Sequence, residues 1–167
     1  MLQPPFIFSR YMRKRVINQH HKTRDEEGHW LDLEHLATVE VTSEDKDHPI
    51  EAALLPDHSS GWKAADPGPQ TIRLVFDEPQ QIKHIRLVFT ENEHERTLEF
   101  VLRWLSGSSS GGREIVRQQF TFSPLGTTRE IEDYRVELQG VMVLELMINP
   151  NISSTSAYAS LDQLRLA

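Results

Sequence analysis

Two stretches of the chain concentrate side chains that could do chemistry. The first lies between residues 20 and 35, where four of the eight histidines stand close to three acidic residues. These residues are His20, His21, His29, His35, Asp25, Glu26 and Glu27. Imidazole and carboxylate groups suit zinc and similar ions. The spacing matches no common ligand pattern, which favours surface histidines in a connecting segment over a metal site.

The second stretch is an alternating run in which Glu91, Glu93 and Glu95 surround His94. Carboxyl and imidazole groups can act as general acids and bases. Alternating charges in a short loop are also typical of a solvated surface. The chain has no cysteine and no Gly-x-Ser-x-Gly, His-Glu-x-x-His or phosphate-loop motif. We therefore assign no catalytic residues and expect a protein that is not an enzyme.

Length and composition predict one folded domain. The chain has 167 residues, of which 38% are hydrophobic, so it can bury a substantial core. The absence of cysteine excludes a disulfide framework and thiolate metal sites. The apolar run Phe6–Phe8 is too short for a signal-peptide core, and no later run could span a membrane. We expect a cytoplasmic protein.

Charge is distributed unevenly along the chain. The net charge is −7, yet residues 1–24 carry six basic side chains and no acidic one. A basic arm on an acidic body can dock on its own domain, on an acidic partner protein or on nucleic acid. Docking or simple solvation is favoured, with nucleic acid left open. Ser9 is a suitable N-cap for a short helix over residues 10–18.

From residue 37 onward the pattern predicts β-structure throughout. In residues 70–77 and 84–90, apolar and polar side chains alternate, which places one face of each strand in a core. Further strands are predicted at 37–44, 97–105, 113–122, 131–138, 141–148 and 157–166. About eight short antiparallel strands indicate a jelly-roll β-sandwich over residues 37–167, preceded by an arm and connector over residues 1–36.

Turn residues predict how these strands connect. A short Pro-containing corner joins 70–77 to 84–90, and Gln139-Gly140 is a two-residue hairpin signal. The segment from Glu44 to Gly61 is too long for a hairpin and is expected to be a folded loop. The Ser/Gly-rich residues 106–112 are expected at an exposed loop tip. Predicted core residues are Phe76, Leu87, Phe100, Leu102, Leu144 and Leu146.

Five segments of the chain follow a recognisable order: ALLPDHSSGW (53–62), QTIRLVFD (70–77), IRLVF (85–89), 142–150 and 159–166. Together they resemble the discoidin, or coagulation-factor C-type, family of galactose-binding-like jelly rolls. The resemblance covers about residues 37–167. It implies a galactose-binding-domain-like fold and a non-catalytic module that binds carbohydrate or another small polar ligand.

Departures from the family pattern narrow what the resemblance implies. The bracketing cysteines are absent, and TSEDKDHP (42–49) lacks the exposed aromatic residues of membrane-binding members, so no membrane contact is expected. Carbohydrate-binding members hold calcium with the loop before the tryptophan and a glutamate on the last strand. Here that loop offers Asp57, but the last-strand position is Gln163. An amide is a weaker calcium ligand than a carboxylate, so weak calcium binding or none is expected, and no cofactor is assigned.

The family layout would bring three polar loops together at one end of the sandwich. The implied ligand-binding residues are Asp57, His58, Ser59, Ser60, Lys63, Asn92, His94 and Arg96. Such groups offer the donors and acceptors that sugar hydroxyls need. Solvated loops are polar in any protein, so both interpretations stay open. Trp62 is expected in the core rather than as a stacking platform.

Three functions therefore remain after the sequence has been considered. A carbohydrate-binding module leads. A protein-interaction or scaffold domain, with nucleic-acid contact through the basic arm, is the alternative, since a related jelly roll forms part of a DNA-repair scaffold. An allantoicase-like hydrolase is the least favoured, because only the fold class connects it to this chain.

Overall fold

The computed structural model describes residues 29–57, 60–107 and 111–167. The predicted basic arm, its helix over residues 10–18 and most of the histidine-rich segment lie outside the described residues, as do His58 and Ser59 and the centre of the Ser/Gly-rich loop. No helix in the described part of the chain is long and apolar enough to cross a membrane.

The described residues form eight strands and two short helices. In chain order they are α1 (Leu33–Leu36), β1 (Ala37–Val41), α2 (Glu51–Leu54), β2 (Trp62–Pro67), β3 (Gln70–Thr90), β4 (Arg96–Ser106), β5 (Arg113–Phe122), β6 (Arg129–Asn149), β7 (Tyr158–Leu161) and β8 (Gln163–Leu166).

Two strands of 21 residues, β3 and β6, connect the layers of the sandwich. They pair antiparallel from Thr90 opposite Arg129 to Gln70 opposite Ile148. The first half of β3 lies in a layer with the order β1-β3-β6-β4-β5. Its second half lies between β6 and β8. Shifts of register between Val75 and His84 mark the passage from one layer to the other.

Aromatic contacts show that the two halves of β3 and β6 face each other across a core. The rings of Phe89 on β3 and Phe100 on β4 stack with their centroids 5.4 Å apart. Because β3 and β4 are not hydrogen-bonded neighbours, this contact joins opposite layers. Phe120 on β5 packs against both rings. The jelly-roll β-sandwich predicted from the sequence is confirmed.

The predicted core is also confirmed. Phe76, Leu87, Phe100, Leu102, Leu144 and Leu146 are all at most 2% exposed. Trp62 is fully buried, as expected. The long loop after β1 is folded, and its helix α2 buries Ala52, Ala53 and Leu54. The buried Arg165 holds α2 by donating to the carbonyl oxygens of Ala53 and Leu55, at 2.8 and 3.0 Å.

The hairpin predicted at Gln139-Gly140 is wrong. Residues 129–149 form one strand, because both of its halves pair with β3 rather than with each other. Gly140 has a φ of +71°, a left-handed conformation that glycine adopts without steric cost, and it lies where the register shifts. The corner predicted around Pro79 is likewise a region of irregular pairing within β3, which remains one strand.

Two further strand assignments differ from the sequence prediction. The final segment, expected as one strand, is divided at Asp162 into β7 and β8, which pair with different partners. Strand β2 follows the folded loop and pairs with β7, although no strand is predicted from the sequence between residues 45 and 69. Long-range pairing overrides local propensity at both places.

A half-buried acidic pair faces inward on the first half of β6. The Tyr134 hydroxyl donates to Glu132 Oε2 at 2.8 Å, and the Tyr134 ring lies 6.5 Å from Phe100. Burial, followed by the negative charge of Glu132 and a hydrogen bond with it, raises the pKa of Glu130. Burial and the hydrogen bond to Glu132 raise the pKa of Tyr134 as well.

Truncating the core should destabilise the fold strongly. We expect Leu87→Ala and Phe100→Ala each to lower the free energy of unfolding by about 2–5 kcal/mol, because each leaves a cavity between the layers. Leu125, which is fully exposed, supplies the control, and Leu125→Ala should cost less than about 0.5 kcal/mol. Chemical denaturation measures all three. Losses below about 1 kcal/mol at both core sites would contradict the burial of these two side chains between the layers.

Glu130→Gln should raise the thermal midpoint at pH 7. The folded-state pKa of Glu130 is raised, so its contribution to stability is complete below the unfolded-state pKa and is lost as pH rises through the folded-state value. The advantage of the variant should therefore vanish below about pH 4. Glu137→Gln, an exposed change on the same strand, should show no such dependence. A difference in thermal midpoint that does not vary with pH would contradict the raised pKa of Glu130.

Candidate functional site

A cavity of about 940 Å³ opens at the end of the sandwich where β3 ends and β4 begins. One wall is the loop of residues 91–95, which joins these strands. The opposite wall is the β2–β7 ribbon, in which Lys63 lies opposite Ser160. Asn151 and the residues that lead into β7 complete the lining.

Gly61 allows β2 to enter this ribbon. Its φ is +68°, and a side chain there would place Cβ 2.9 Å from the Leu161 carbonyl oxygen. Only glycine fits both the left-handed backbone and this close approach. The next residue, Trp62, pairs with Leu161 and lies fully buried at the cavity wall. Its Nε1 has no hydrogen-bond partner among the described residues. The burial of Trp62 confirms its predicted position in the core.

Glu91 organises the loop of residues 91–95. Its Oε1 accepts the backbone N–H groups of Glu93 and His94, at 2.8 and 3.2 Å. Its Oε2 lies 2.8 Å from a guanidinium nitrogen of Arg96. The side chains of Glu91 and Arg96 are only 10% and 9% exposed, so this ion pair is largely shielded from water. Asn92 and His94 are thereby held exposed on a fixed turn.

Arg96 joins the two walls of the cavity. Its other terminal nitrogen donates to the Tyr158 carbonyl oxygen at 3.1 Å. Burial lowers the pKa of Arg96, and the negative charge of Glu91 opposes that effect. The two terminal nitrogens are thus engaged by Glu91 and Tyr158, while Nε is buried without a hydrogen-bond partner among the described residues. Arg96 lines the cavity mainly as a structural brace.

The structure brings together most of the predicted ligand-binding residues that it describes. Ser60, Lys63, Asn92, His94 and Arg96 all line the cavity. Asp57 is exposed and is not part of this lining. His58 and Ser59 lie outside the described residues. Ligand binding by these five residues stays a prediction.

Sequence reasoning missed several lining residues that come from distant segments. Tyr158 is the most informative, because it is an aromatic side chain that is 52% exposed beside polar groups. Asp45, Asn151, Ser156, Ser160 and Asp162 also line the cavity. The only sequence signal for Tyr158 was its position after the polar segment NISSTS (151–156).

Two further acidic residues, Asp45 and Asp162, line the cavity from outside the loop of residues 91–95. Asp45 donates its backbone N–H to the Lys63 carbonyl oxygen at 2.9 Å, which attaches its loop to β2. A hydrogen bond from the Asp47 backbone, and then the contact with His48, lower the pKa of Asp45. The Thr90 hydroxyl donates to Asp162 Oδ2, which connects the end of β3 to the link between β7 and β8.

The expectations that there is no metal site and that there are no catalytic residues stay predictions. Within the described residues, Asp32, Glu34 and His35 place donor atoms within 4.8 Å of one another, but all three are exposed. This group belongs to α1 and the residue before it, away from the cavity. Of the alternating acids considered for acid–base chemistry, Glu91 is engaged in the buried ion pair, whereas Glu93 and Glu95 are exposed.

Comparison with known proteins identifies the fold. No protein-family model and no curated protein matches the chain. Among solved structures, a CBM32 module from a family 31 glycoside hydrolase of Clostridium perfringens has a TM-score of 0.61 and 18% identity, over 82% of this chain and 93% of that one. The chain has the β-sandwich fold of carbohydrate-binding modules.

Two further matches carry ligands. The CBM32 of AlyQ, in complex with 4,5-unsaturated mannuronic acid, has a TM-score of 0.57 and 16% identity, over 79% of this chain and 95% of that one. The family 32 module of C. perfringens NanJ, in complex with galactose, has a TM-score of 0.54 and 12% identity, over 78% and 92%. Some other matches are larger enzyme structures, of which the chain covers 24% to 31%.

Removing the charge of Glu91 should destabilise the protein. Glu91→Gln keeps acceptors for the loop N–H groups but leaves the Arg96 charge buried without its partner. We expect the free energy of unfolding to fall by about 2–4 kcal/mol. Glu93→Gln, an exposed change in the same loop, should cost less than about 0.5 kcal/mol. Chemical denaturation that finds equal losses in the two variants would exclude the ion pair as the brace of this loop.

Proposed function

We propose that the chain is a non-catalytic carbohydrate-binding module whose sugar lies in the cavity between the loop of residues 91–95 and the β2–β7 ribbon. The observation that carries the proposal is the lining itself. Polar donors and acceptors converge from separate segments around a half-exposed tyrosine. The solved modules of the same fold, one with galactose and one with a mannuronic acid derivative, support this proposal.

The lining suits the two kinds of surface on a sugar. Hydroxyl groups need donors and acceptors at short spacing, and Lys63, Asn92 and His94 supply both. Apolar C–H faces pack against aromatic rings, and Tyr158 offers such a ring beside these groups. Glu91 and Arg96 act as positioning residues that hold the loop and the ribbon, so little ordering is needed on binding.

Affinity should be modest. Each hydrogen bond to the ligand replaces one to water and contributes a net of only about 0.5–1.5 kcal/mol. A few such bonds and one stacking contact correspond to dissociation constants of roughly millimolar to micromolar. We propose that calcium is not required, because the family position for a carboxylate on the last strand is Gln163.

A glycan array followed by titration of free monosaccharides, with and without a chelator, tests the proposal. We expect saturable binding that the chelator does not change. The double variant Lys63→Ala/His94→Ala should weaken binding at least about fivefold, through the loss of two polar contacts.

A matched control removes the same residue types away from the cavity. Lys83→Ala/His35→Ala changes two exposed side chains and should leave affinity unchanged. Absence of binding across the array and the titrations, or binding that the Lys63/His94 variant leaves intact, would overturn the proposal. The first result would favour a protein-interaction domain instead.

A further inference from the structure

Acidic side chains outnumber basic ones around the cavity. Five carboxylates and two cations line it. The carboxylates belong to Asp45, Glu91, Glu93, Glu95 and Asp162, and the cations are Lys63 and Arg96.

One pair of these charges cancels locally. Arg96 lies 2.8 Å from Glu91, and both side chains are largely buried. Among the described residues, Lys63 forms no ion pair. The cavity therefore presents four further carboxylates and a single ammonium group to a ligand, before any charge on His94 is counted.

The four remaining carboxylates come from three segments of the chain. Glu93 and Glu95 are exposed on the loop that follows β3. Asp45 lies beside β2, where a hydrogen bond from the Asp47 backbone and the contact with His48 lower its pKa. Asp162 lies at the link between β7 and β8. A ligand in the cavity therefore lies within the combined field of acids from separate segments of the chain.

This field acts on the charge of the sugar. At physiological ionic strength, charges interact over about 8 Å, which is comparable with the size of a monosaccharide. The carboxylate of a uronic acid would meet net repulsion, whereas a neutral hydroxymethyl group would not and an amino group would be attracted. The fold itself does not exclude acidic sugars, since a module of this fold has been solved with a mannuronic acid derivative. Discrimination must therefore come from the side chains of each chain.

We propose that this cavity selects neutral and amino sugars and rejects uronic acids, with Asp45, Glu93 and Glu95 as the specificity-determining residues. This inference rests on the proposed carbohydrate-binding function. It adds an order of affinity, in which an amino sugar binds at least as tightly as the neutral sugar and the uronic acid binds most weakly.

Matched sugars test this order. Galactose, galactosamine and galacturonic acid, and the corresponding glucose and mannose series, differ mainly in charge. Titrations of the full chain followed by NMR should show the uronic acid about fivefold weaker than the neutral sugar at low ionic strength. The difference should shrink at about 1 M salt, where charges interact over only about 3 Å.

Variants locate the source of the discrimination. Glu93→Gln/Glu95→Gln should narrow the gap between galactose and galacturonic acid, because it removes two exposed charges without touching the Glu91–Arg96 pair. Glu34→Gln/Glu137→Gln removes the same net charge from α1 and β6, away from the cavity, and should leave the gap unchanged.

The outcomes separate this inference from the function on which it rests. Uronic acids that bind as tightly as neutral sugars, or a gap that the Glu93/Glu95 variant leaves unchanged, would overturn the charge selection while sugar binding stands. Absence of binding by every sugar would overturn both.

Discussion

The antiparallel pairing of β3 with β6 is the constraint on which the structure depends. Both strands run through the two layers, so a single hydrogen-bonded ladder sets the position of each layer relative to the other. It also fixes where β3 ends, and therefore where the loop of residues 91–95 begins. The Phe89–Phe100 contact closes the core between the layers just behind that loop. The candidate site is thus positioned by the same pairing that makes the fold.

The Glu91–Arg96 ion pair connects the loop at the cavity to the rest of the sandwich. Burying two charges is costly unless their hydrogen bonds are satisfied. Here Glu91 accepts two loop N–H groups, and Arg96 also reaches the Tyr158 carbonyl. The pair therefore joins the loop of residues 91–95 to strand β7, more than 60 residues away in the chain. A site held in this way can present exposed polar side chains in a fixed geometry, which lowers the entropy lost on binding.

One fold can serve different ligands because the sandwich and the rim of the cavity are chemically independent. The core is apolar and sets only the shape, whereas ligand choice depends on exposed side chains in the loops. This separation explains how modules of the same fold can be solved with galactose or with a mannuronic acid derivative while sharing little sequence with this chain. In this protein, five carboxylates and two cations line the cavity.

The amino-acid sequence was enough to predict the strand faces and the core residues Phe76, Leu87 and Phe100, all of which are buried. The reason is that the alternation of apolar and polar residues indicates which side of a strand is buried. The sequence also indicated Lys63, Asn92 and His94 as neighbours, through the resemblance. Three features became visible only in the folded chain: residues 129–149 form one strand, Glu91 braces Arg96, and Tyr158 and Asp45 line the same cavity. These features depend on which strand pairs with which, and long-range pairing leaves no mark in local periodicity.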